Sequence, residues 1–300
     1  MPGPALTIPE GLAWWRRVPG GGEWLDSLPR LVAEVAEEWD LRLGEAVEDT
    51  WISLVAFAER ADGEPVVLKV NFPERESEHE ADALAFWDGD GAVRLLAHDP
   101  GRRALLLERA VPGTRLWAVD DEGEAALAAV GVLRRVWRPA PATHEYRLLA
   151  DLAEHWAEEL PARFEAHGRP FERSLLDEAV SACRELGPAQ GQQIVAHQDF
   201  HGGNVLASDR GWLAIDPKPV VGEREFDVAS LLRDLRPELS ADPSPGARVR
   251  RRLDLLVDEL GLDRERARLW GIVHALAWGV DADGADPEMV ACARRLSEAR

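Results

Sequence analysis

Lysine is almost missing from this chain of 300 residues: of 35 basic residues only Lys69 and Lys218 are lysines, and the other 33 are arginines. A compact ammonium differs from a planar guanidinium where one charge must sit between phosphate oxygens in a tight pocket, so the two surviving lysines mark a candidate phosphate site. Cysteine is equally scarce. Cys183 and Cys292 show no metal-ligand spacing and are too few for a disulfide scaffold, and both read as reduced, structural thiols. No window approaches the roughly 18 uninterrupted apolar residues of a membrane span. The stretch up to Arg17 lacks a continuous apolar core and a small-residue cleavage site, so it does not read as a signal peptide. Positive charge is also short: 35 basic against 55 acidic residues gives a net charge of −20, which opposes nucleic acid and anionic membrane as partners and favours cationic ones. A Walker-type GxxxxGK[ST] loop is absent, which excludes that mode of phosphate binding. A cytoplasmic protein, monomeric or weakly dimeric, is the expectation.

What is present is a folded, 46% hydrophobic chain long enough for two lobes. Residues 1 to 22 read as an irregular lead-in whose Trp14 and Trp15 pack back on the body. Apolar residues from Trp24 to Trp39 recur at three and four positions and predict an amphipathic helix over 23–39. Strands are expected at 51–59 and 65–70 around the turn at Asp62-Gly63, and at 93–96 and 104–108 around Asp99-Pro100-Gly101. A helix over 75–87 would place Glu76, Glu80, Leu84 and Trp87 on one face. Glu80 then looks inward and needs a partner, since an isolated buried charge is costly; Lys69 on the preceding strand can supply it.

The pattern breaks at 109–113, and a lobe boundary is placed there, giving an N-terminal lobe over 1–110 and a C-terminal lobe over 111–300. Beyond it the chain reads as helical at 122–137, 144–166, 171–186, 227–235, 245–260, 264–280 and 287–299. Interruptions are a short strand at 194–197, a hairpin at 205–207 and 212–215, and a linker at 241–246. Trp270, His274 and Trp278 share a helical face that reads as core rather than as substrate wall.

The chemistry concentrates in His197-Gln-Asp-Phe-His-Gly-Gly-Asn204, an HxDxxxxN segment followed by an apolar run that ends in Asp216. Asp199 can orient an acceptor hydroxyl toward a γ-phosphate. Asn204 and Asp216 offer the hard oxygen ligands that Mg²⁺ prefers. These are the parts of a kinase-type phosphoryl transfer. A competing reading takes the alternating His197, Asp199 and His201 as ligands of a metal-dependent hydrolase, but it leaves Asn204 and Lys69 without a role and finds no further His or Cys cluster.

With these segments in view, the chain resembles the aminoglycoside phosphotransferases, within them the streptomycin 6-phosphotransferase and hydroxyurea phosphotransferase subgroup. The resemblance is carried by Val67 to Pro73 with the helix through Glu80, by Leu105 to Arg109 with Pro112-Gly113, by His197 to Leu206, and by Ile215-Asp-Pro-Lys-Pro-Val-Val-Gly-Glu-Arg-Glu-Phe-Asp227. It implies an α+β, protein-kinase-like bilobal fold: a small antiparallel-sheet lobe with one key helix, and a mainly helical lobe. It implies ATP bound between lobes, with Mg²⁺ as cofactor. Lys69 would bind the α/β-phosphates and Glu80 would hold Lys69. Backbone from Glu108 to Ala110 would meet adenine, Asp199 would be catalytic, and Asn204 and Asp216 would take the metals. The expected phosphate flap, a turn at Gly44 to Thr50, departs from the glycine-richer pattern; it would have to work through backbone N–H groups and Thr50.

The acceptor implied is a small, cationic aminoglycoside, with Glu223, Glu225, Asp227, Asp281 and Asp283 as candidate contacts and with streptomycin, at its 6-hydroxyl, foremost. Asp227 has an alternative role as brace or cap of the helix after Phe226. Hydroxyurea or another small molecule is the alternative acceptor. A nucleotide-binding pseudokinase scaffold is the alternative of another class.

Overall fold

The computed structural model describes residues 7–233 and 244–300. The chain divides into two compact units, Met1–Gly113 and Thr114–Arg300. In the first, a 3-10 helix at Glu10–Arg17 leads into α1 (Gly21–Glu38). A five-stranded antiparallel sheet follows in the order β1-β2-β3-β5-β4, from β1 (Leu41–Ala46), β2 (Ser53–Arg60), β3 (Pro65–Asn71), β4 (Leu95–Asp99) and β5 (Ala104–Glu108). The helix α2 (Glu80–Trp87) lies between β3 and β4 in sequence. Period-2 alternation sends Leu54, Leu68, Val70 and Phe72 into one core with Trp24, Leu28, Val32 and Val35 of α1. Trp15 packs its ring 3.8 Å from that of Phe72, so the lead-in does fold back on the body.

Three expectations for this unit need correcting. Gly44 and Glu45 are not part of a turn: they lie in β1, which the sequence reading missed because its exposed residues and a register shift between Leu43 and Ala46 obscure the alternation. The turn is confined to residues 47–52. Helix α2 begins at Glu80, not Arg75, because the Ser77 hydroxyl donates to the Phe72 carbonyl at 3.2 Å and holds residues 72–79 in a bend. Glu76 therefore does not share a helical face with Glu80.

The strand β6 (Pro112–Arg115) spans the division between units. The second unit holds α3 (Glu122–Val136), β7 (Arg147–Leu148), α4 (Leu149–Ala166), α5 (Arg173–Leu186), β8 (Gln193–Ala196), β9 (Val205–Ser208), β10 (Gly211–Ala214), β11 (Val220–Glu223), α6 (Arg224–Asp227), α7 (Ala229–Leu232), α8 (Pro245–Leu260), α9 (Arg264–Gly279) and α10 (Pro287–Glu298). Side chains cap three helices, Asp121 on α3, Asp263 on α9 and Asp286 on α10.

Helix α4 starts at Leu149, not His144, because Arg147 and Leu148 pair in parallel with Val220 and Val221. Strand β11 also pairs antiparallel with β8, Val220 opposite Ala196. One helix was expected over 227–235; the described part consists of the short helices α6 and α7, and the expectation beyond Arg233 lies outside the described residues, as does the first half of the 241–246 linker, whose Pro245 and Gly246 instead begin α8.

Candidate active site

In the first unit, Lys69 and Asn71 lie two residues apart on β3 and so project from the same face. Lys69 Nζ donates to both Glu80 oxygens, at 2.7 and 2.8 Å, with the two side chains 5% and 1% exposed. Asn71 Nδ2 donates to Glu80 Oε2 at 2.7 Å, and Ser53 Oγ donates to Asn71 Oδ1 at 2.7 Å. The Lys69–Glu80 pair expected from sequence is present, and Ser53 and Asn71 extend it into a chain that fixes the Glu80 carboxylate. Sequence reasoning did not select either; only the same-face spacing of Asn71 from Lys69 could have drawn attention to it.

At the end of β5 the Glu108 carboxylate accepts from the Arg94 backbone N–H at 2.9 Å, and the Glu108 N–H donates to the Arg94 carbonyl at 3.0 Å. Gly113 has φ 75, and a Cβ there would sit 2.9 Å from the Ala110 carbonyl oxygen, which makes glycine necessary. Thr50 donates its hydroxyl to the Val47 carbonyl at 3.1 Å, closing the 47–52 turn.

In the second unit, β8 delivers the chain to the loop at 197–204. Gln198 adopts φ 67, a left-handed conformation that costs a non-glycine residue about 1–2 kcal/mol. It is held from several sides: its N–H donates to Asp227 Oδ1 at 2.8 Å, and its carbonyl accepts from Ser230 Oγ at 2.6 Å and His274 Nε2 at 3.1 Å. His197 bonds through Nε2 to the Ile215 carbonyl at 2.9 Å, and the Lys218 N–H donates to the His197 carbonyl at 3.0 Å.

Asp199 is buried. Its Oδ1 accepts from Arg233 Nη2 at 2.6 Å, and its Oδ2 lies 3.5 Å from Lys218 Nζ. Burial by itself pushes this carboxyl up, but Lys218 and Arg233, with smaller help from His201 and His197, outweigh it and hold Asp199 below the ordinary carboxylate range. Lys218 and Arg233 in turn stand 4.5 and 4.7 Å from the Trp278 ring centroid. His274 stacks on Trp278 and accepts from Arg233 Nε at 3.1 Å. Burial, with Arg233 adding to it, keeps His274 well below the usual histidine range and hence neutral. The core reading of Trp270 and His274 agrees with their complete burial; Trp278 is partly exposed beside the two cations.

Asn204 is tied to Asp199 by an Nδ2 bond to the Asp199 carbonyl at 3.0 Å, and its own carbonyl accepts from the Ile215 N–H at 2.9 Å. That second bond links it to the residue before Asp216, which leaves the β10 end at φ 57. With its amide nitrogen so used, the atom Asn204 could offer a metal is Oδ1. An amide oxygen and a carboxylate on two segments joined by a backbone bond fit the donor set of Mg²⁺. Gly203 is also dictated by packing: a Cβ there would fall 2.7 Å from the Trp117 ring, which stacks on His201 at 5.1 Å.

The acceptor candidates do not converge. Glu223 is buried under a bidentate ion pair with Arg266, at 2.8 Å, and the Trp270 indole N–H at 2.5 Å. Asp227, fully buried, accepts from Gln198 N and from Trp137 Nε1 at 2.8 Å. Both carboxylates are committed to the fold rather than to an acceptor. Glu225 accepts from the Asp263 N–H at 3.2 Å, Asp281 accepts from the backbone N–H groups of Asp283 and Gly284, and Asp283 is exposed. His197, a ligand in the hydrolase reading, has its Nε2 on the Ile215 carbonyl, and among the described residues no three His, Cys, Asp or Glu side chains gather as a metal site. The same residues contain no helix long and apolar enough to cross a membrane. In the second unit sequence reasoning also missed Arg233 as the partner of Asp199, because nothing in sequence separates it from 32 other arginines.

Known proteins share this architecture and sequence. A thermostable mutant of the aminoglycoside phosphotransferase APH(4)-Ia, solved with ADP and hygromycin B, superposes with a TM-score of 0.60 at 14% identity, covering 89% of this chain and 96% of that one; the fold is protein-kinase-like. The streptomycin 6-kinase of Streptomyces glaucescens is 38% identical over 300 residues, 97% of each chain. The hydroxyurea phosphotransferase of Kitasatospora aureofaciens is 37% identical over 278 residues, covering 89% of this chain and 78% of its own. Residues 38–284 match the aminoglycoside/hydroxyurea antibiotic resistance kinases as a family. The chain belongs to that family.

Proposed function

We propose that this protein is an ATP-dependent phosphotransferase that phosphorylates a hydroxyl of an aminoglycoside, streptomycin at its 6-hydroxyl foremost, and so confers resistance. The observation that carries the reading is the hydrogen-bonded unit of Asp199, Asn204 and the Ile215-Asp216 step, which fixes one candidate base and two candidate metal ligands against one another. The 38% identity to a streptomycin 6-kinase along nearly the whole chain supports the choice of acceptor.

In this reading Lys69, held by Glu80, binds the α/β-phosphates, and backbone from Glu108 to Ala110 meets adenine. Asn204 and Asp216 hold Mg²⁺, whose charge would offset that of the phosphates. Asp199 accepts a hydrogen bond from the acceptor hydroxyl and orients it. A carboxylate this acidic is too weak a base to deprotonate a free alcohol, so it takes the proton only as the new P–O bond forms and the bond to ADP breaks, in keeping with a loose transition state. Of the acidic candidates, Glu225, Asp281 and Asp283 remain available to a cationic acceptor. ATP and Mg²⁺ place the reaction in the cytoplasm.

Incubation with Mg-ATP and streptomycin, a panel of other aminoglycosides, or hydroxyurea, followed by mass spectrometry, tests the proposal. One added phosphoryl group on streptomycin is expected, and Asp199→Asn should lower the rate by ~10²- to 10⁴-fold. Phosphorylated hydroxyurea in its place would move the acceptor to the alternative supported by the Kitasatospora relative. ATP binding with no product from any acceptor would leave the scaffold reading.

A further inference from the structure

The turn at residues 47–52 is poorly suited, by composition, to cover a triphosphate. It carries Glu48 and Asp49 and no glycine, so its side chains repel phosphate and its backbone lacks the freedom to settle around it. The structure supplies what composition does not. Trp14 Nε1 donates to the Trp51 carbonyl at 2.6 Å and Trp15 Nε1 donates to the Ile52 carbonyl at 3.1 Å. Gly11 comes so close that a Cβ on it would lie 2.5 Å from the Thr50 carbonyl oxygen. Three successive carbonyls of the turn are thus met by one short segment of the 3-10 helix at Glu10–Arg17.

That helix is itself anchored. Trp15 is 3% exposed, with its ring against Phe72 and Trp24. Its carbonyl oxygen would be 2.0 Å from a Cβ at position 21, so Gly21, at the start of α1, admits a contact no other residue allows. Trp14 stacks on Trp15 at 4.0 Å. The tie runs unbroken from the core through Trp15 to the backbone of the turn.

We infer that Gly11, Trp14 and Trp15 are positioning residues for nucleotide binding: the N-terminal 3-10 helix straps down the 47–52 turn so that backbone N–H groups beyond that of Val47, which donates to the Val55 carbonyl at 2.8 Å, are presented to phosphate despite the acidic side chains. The strap replaces glycine flexibility with external fixation. The inference rests on the reading above of this turn as the phosphate cover.

The test uses the full-length protein with Trp14→Phe, which keeps the stacked ring and removes the donor, and Gly11→Ala, which is favourable to a helix in itself but presses on Thr50. Hydrogen exchange of the 47–52 amides reports the strap, and steady-state kinetics report its consequence. Faster exchange in the turn is expected in both variants. The KM for ATP should rise about three- to tenfold, the size of one or two lost hydrogen bonds, with the KM for the acceptor unchanged. Unchanged exchange in the turn would overturn the strap. Faster exchange with an unchanged KM for ATP, in a protein that still phosphorylates its acceptor, would overturn the link to nucleotide while leaving the kinase reading intact. A lowered melting temperature alone, with neither readout moved, would reduce the segment to a structural role.

Discussion

Arg233 Nη2 donates to Asp199 Oδ1 at 2.6 Å, and this contact binds the candidate catalytic carboxylate to the end of α7. Asp199 is buried and Arg233 mostly so, and the contact lets Arg233 help fix where Asp199 points and, after Lys218, lower the range in which it titrates. Lys218 at 3.5 Å shares the second task.

A pH profile follows from this pair. The folded-state value of Asp199 is depressed by Lys218 and Arg233 against the opposing effect of burial. Its stabilising contribution is therefore present above the unfolded value of about 3.9 and is lost as pH falls through the lower folded value. The rate should show no acid limb from Asp199 above the ordinary carboxylate range. Arg233→Met should move such a limb upward and cost about 3–5 kcal/mol of stability, toward the lower figure because Lys218 remains. Rate–pH profiles and urea unfolding of both proteins check it; an unmoved limb in the variant would separate Arg233 from the acidity of Asp199.

For Lys69 and Glu80, the two nearly unexposed partners should behave as one unit. Lys69→Ala is expected to destabilise the protein by about 3–5 kcal/mol by leaving Glu80 buried and short of its cation. Lys69→Ala combined with Glu80→Ala should cost clearly less than the sum of the single changes. Lys69→Arg should fail to restore ATP turnover, because a planar guanidinium does not reproduce a point charge in this space. Denaturation midpoints with ATP turnover decide between this and independent surface-like charges.

Glu223 separates a brace from an acceptor ligand. Its carboxylate serves Arg266 and Trp270, so Glu223→Ala should lower stability by about 3–5 kcal/mol and leave the KM for streptomycin unchanged in the folded protein. A raised acceptor KM without loss of stability would return Glu223 to the acceptor site.

Both cysteines should resist alkylation while the protein is folded. Burial pushes the Cys183 thiol up to about 12 and the Cys292 thiol up to about 11, leaving almost no thiolate at pH 8. Iodoacetamide labelling followed by intact mass should show no adduct in buffer and two in denaturant. An adduct in buffer would mean that one of the helices carrying them opens readily.

Much of the site was legible before the fold was known. The HxDxxxxN segment with its trailing Asp216, the strand ending near Lys69 and the inward Glu80 are local patterns, and of the pairings they suggested the structure shows that of Lys69 with Glu80. The misses have physical causes. Strand β1 has no buried residue and is bulged, so its signal is weak. Strands β7 and β11 are only two and four residues long and exist through pairing with each other and with β8. Ser77 bends the chain ahead of α2 by a bond that helical periodicity does not register.

By itself the sequence determined the types of residue available to the chemistry and their order: one lysine on a strand, one carboxylate and one amide at fixed spacing in a loop, one carboxylate closing a hairpin. Those follow from periodicity and turn chemistry acting over a few residues. Apart from Lys69 with Glu80, it was tertiary structure that decided which charge meets which. Arg233 reaches Asp199 across 34 positions, Glu223 is claimed by Arg266 across 43, and the indoles of Trp14 and Trp15 find the 47–52 turn across 37. Arginines and acidic residues abound in this chain and are interchangeable as sequence symbols, and only burial, by making an unpaired charge or carbonyl costly, selects one partner from the many.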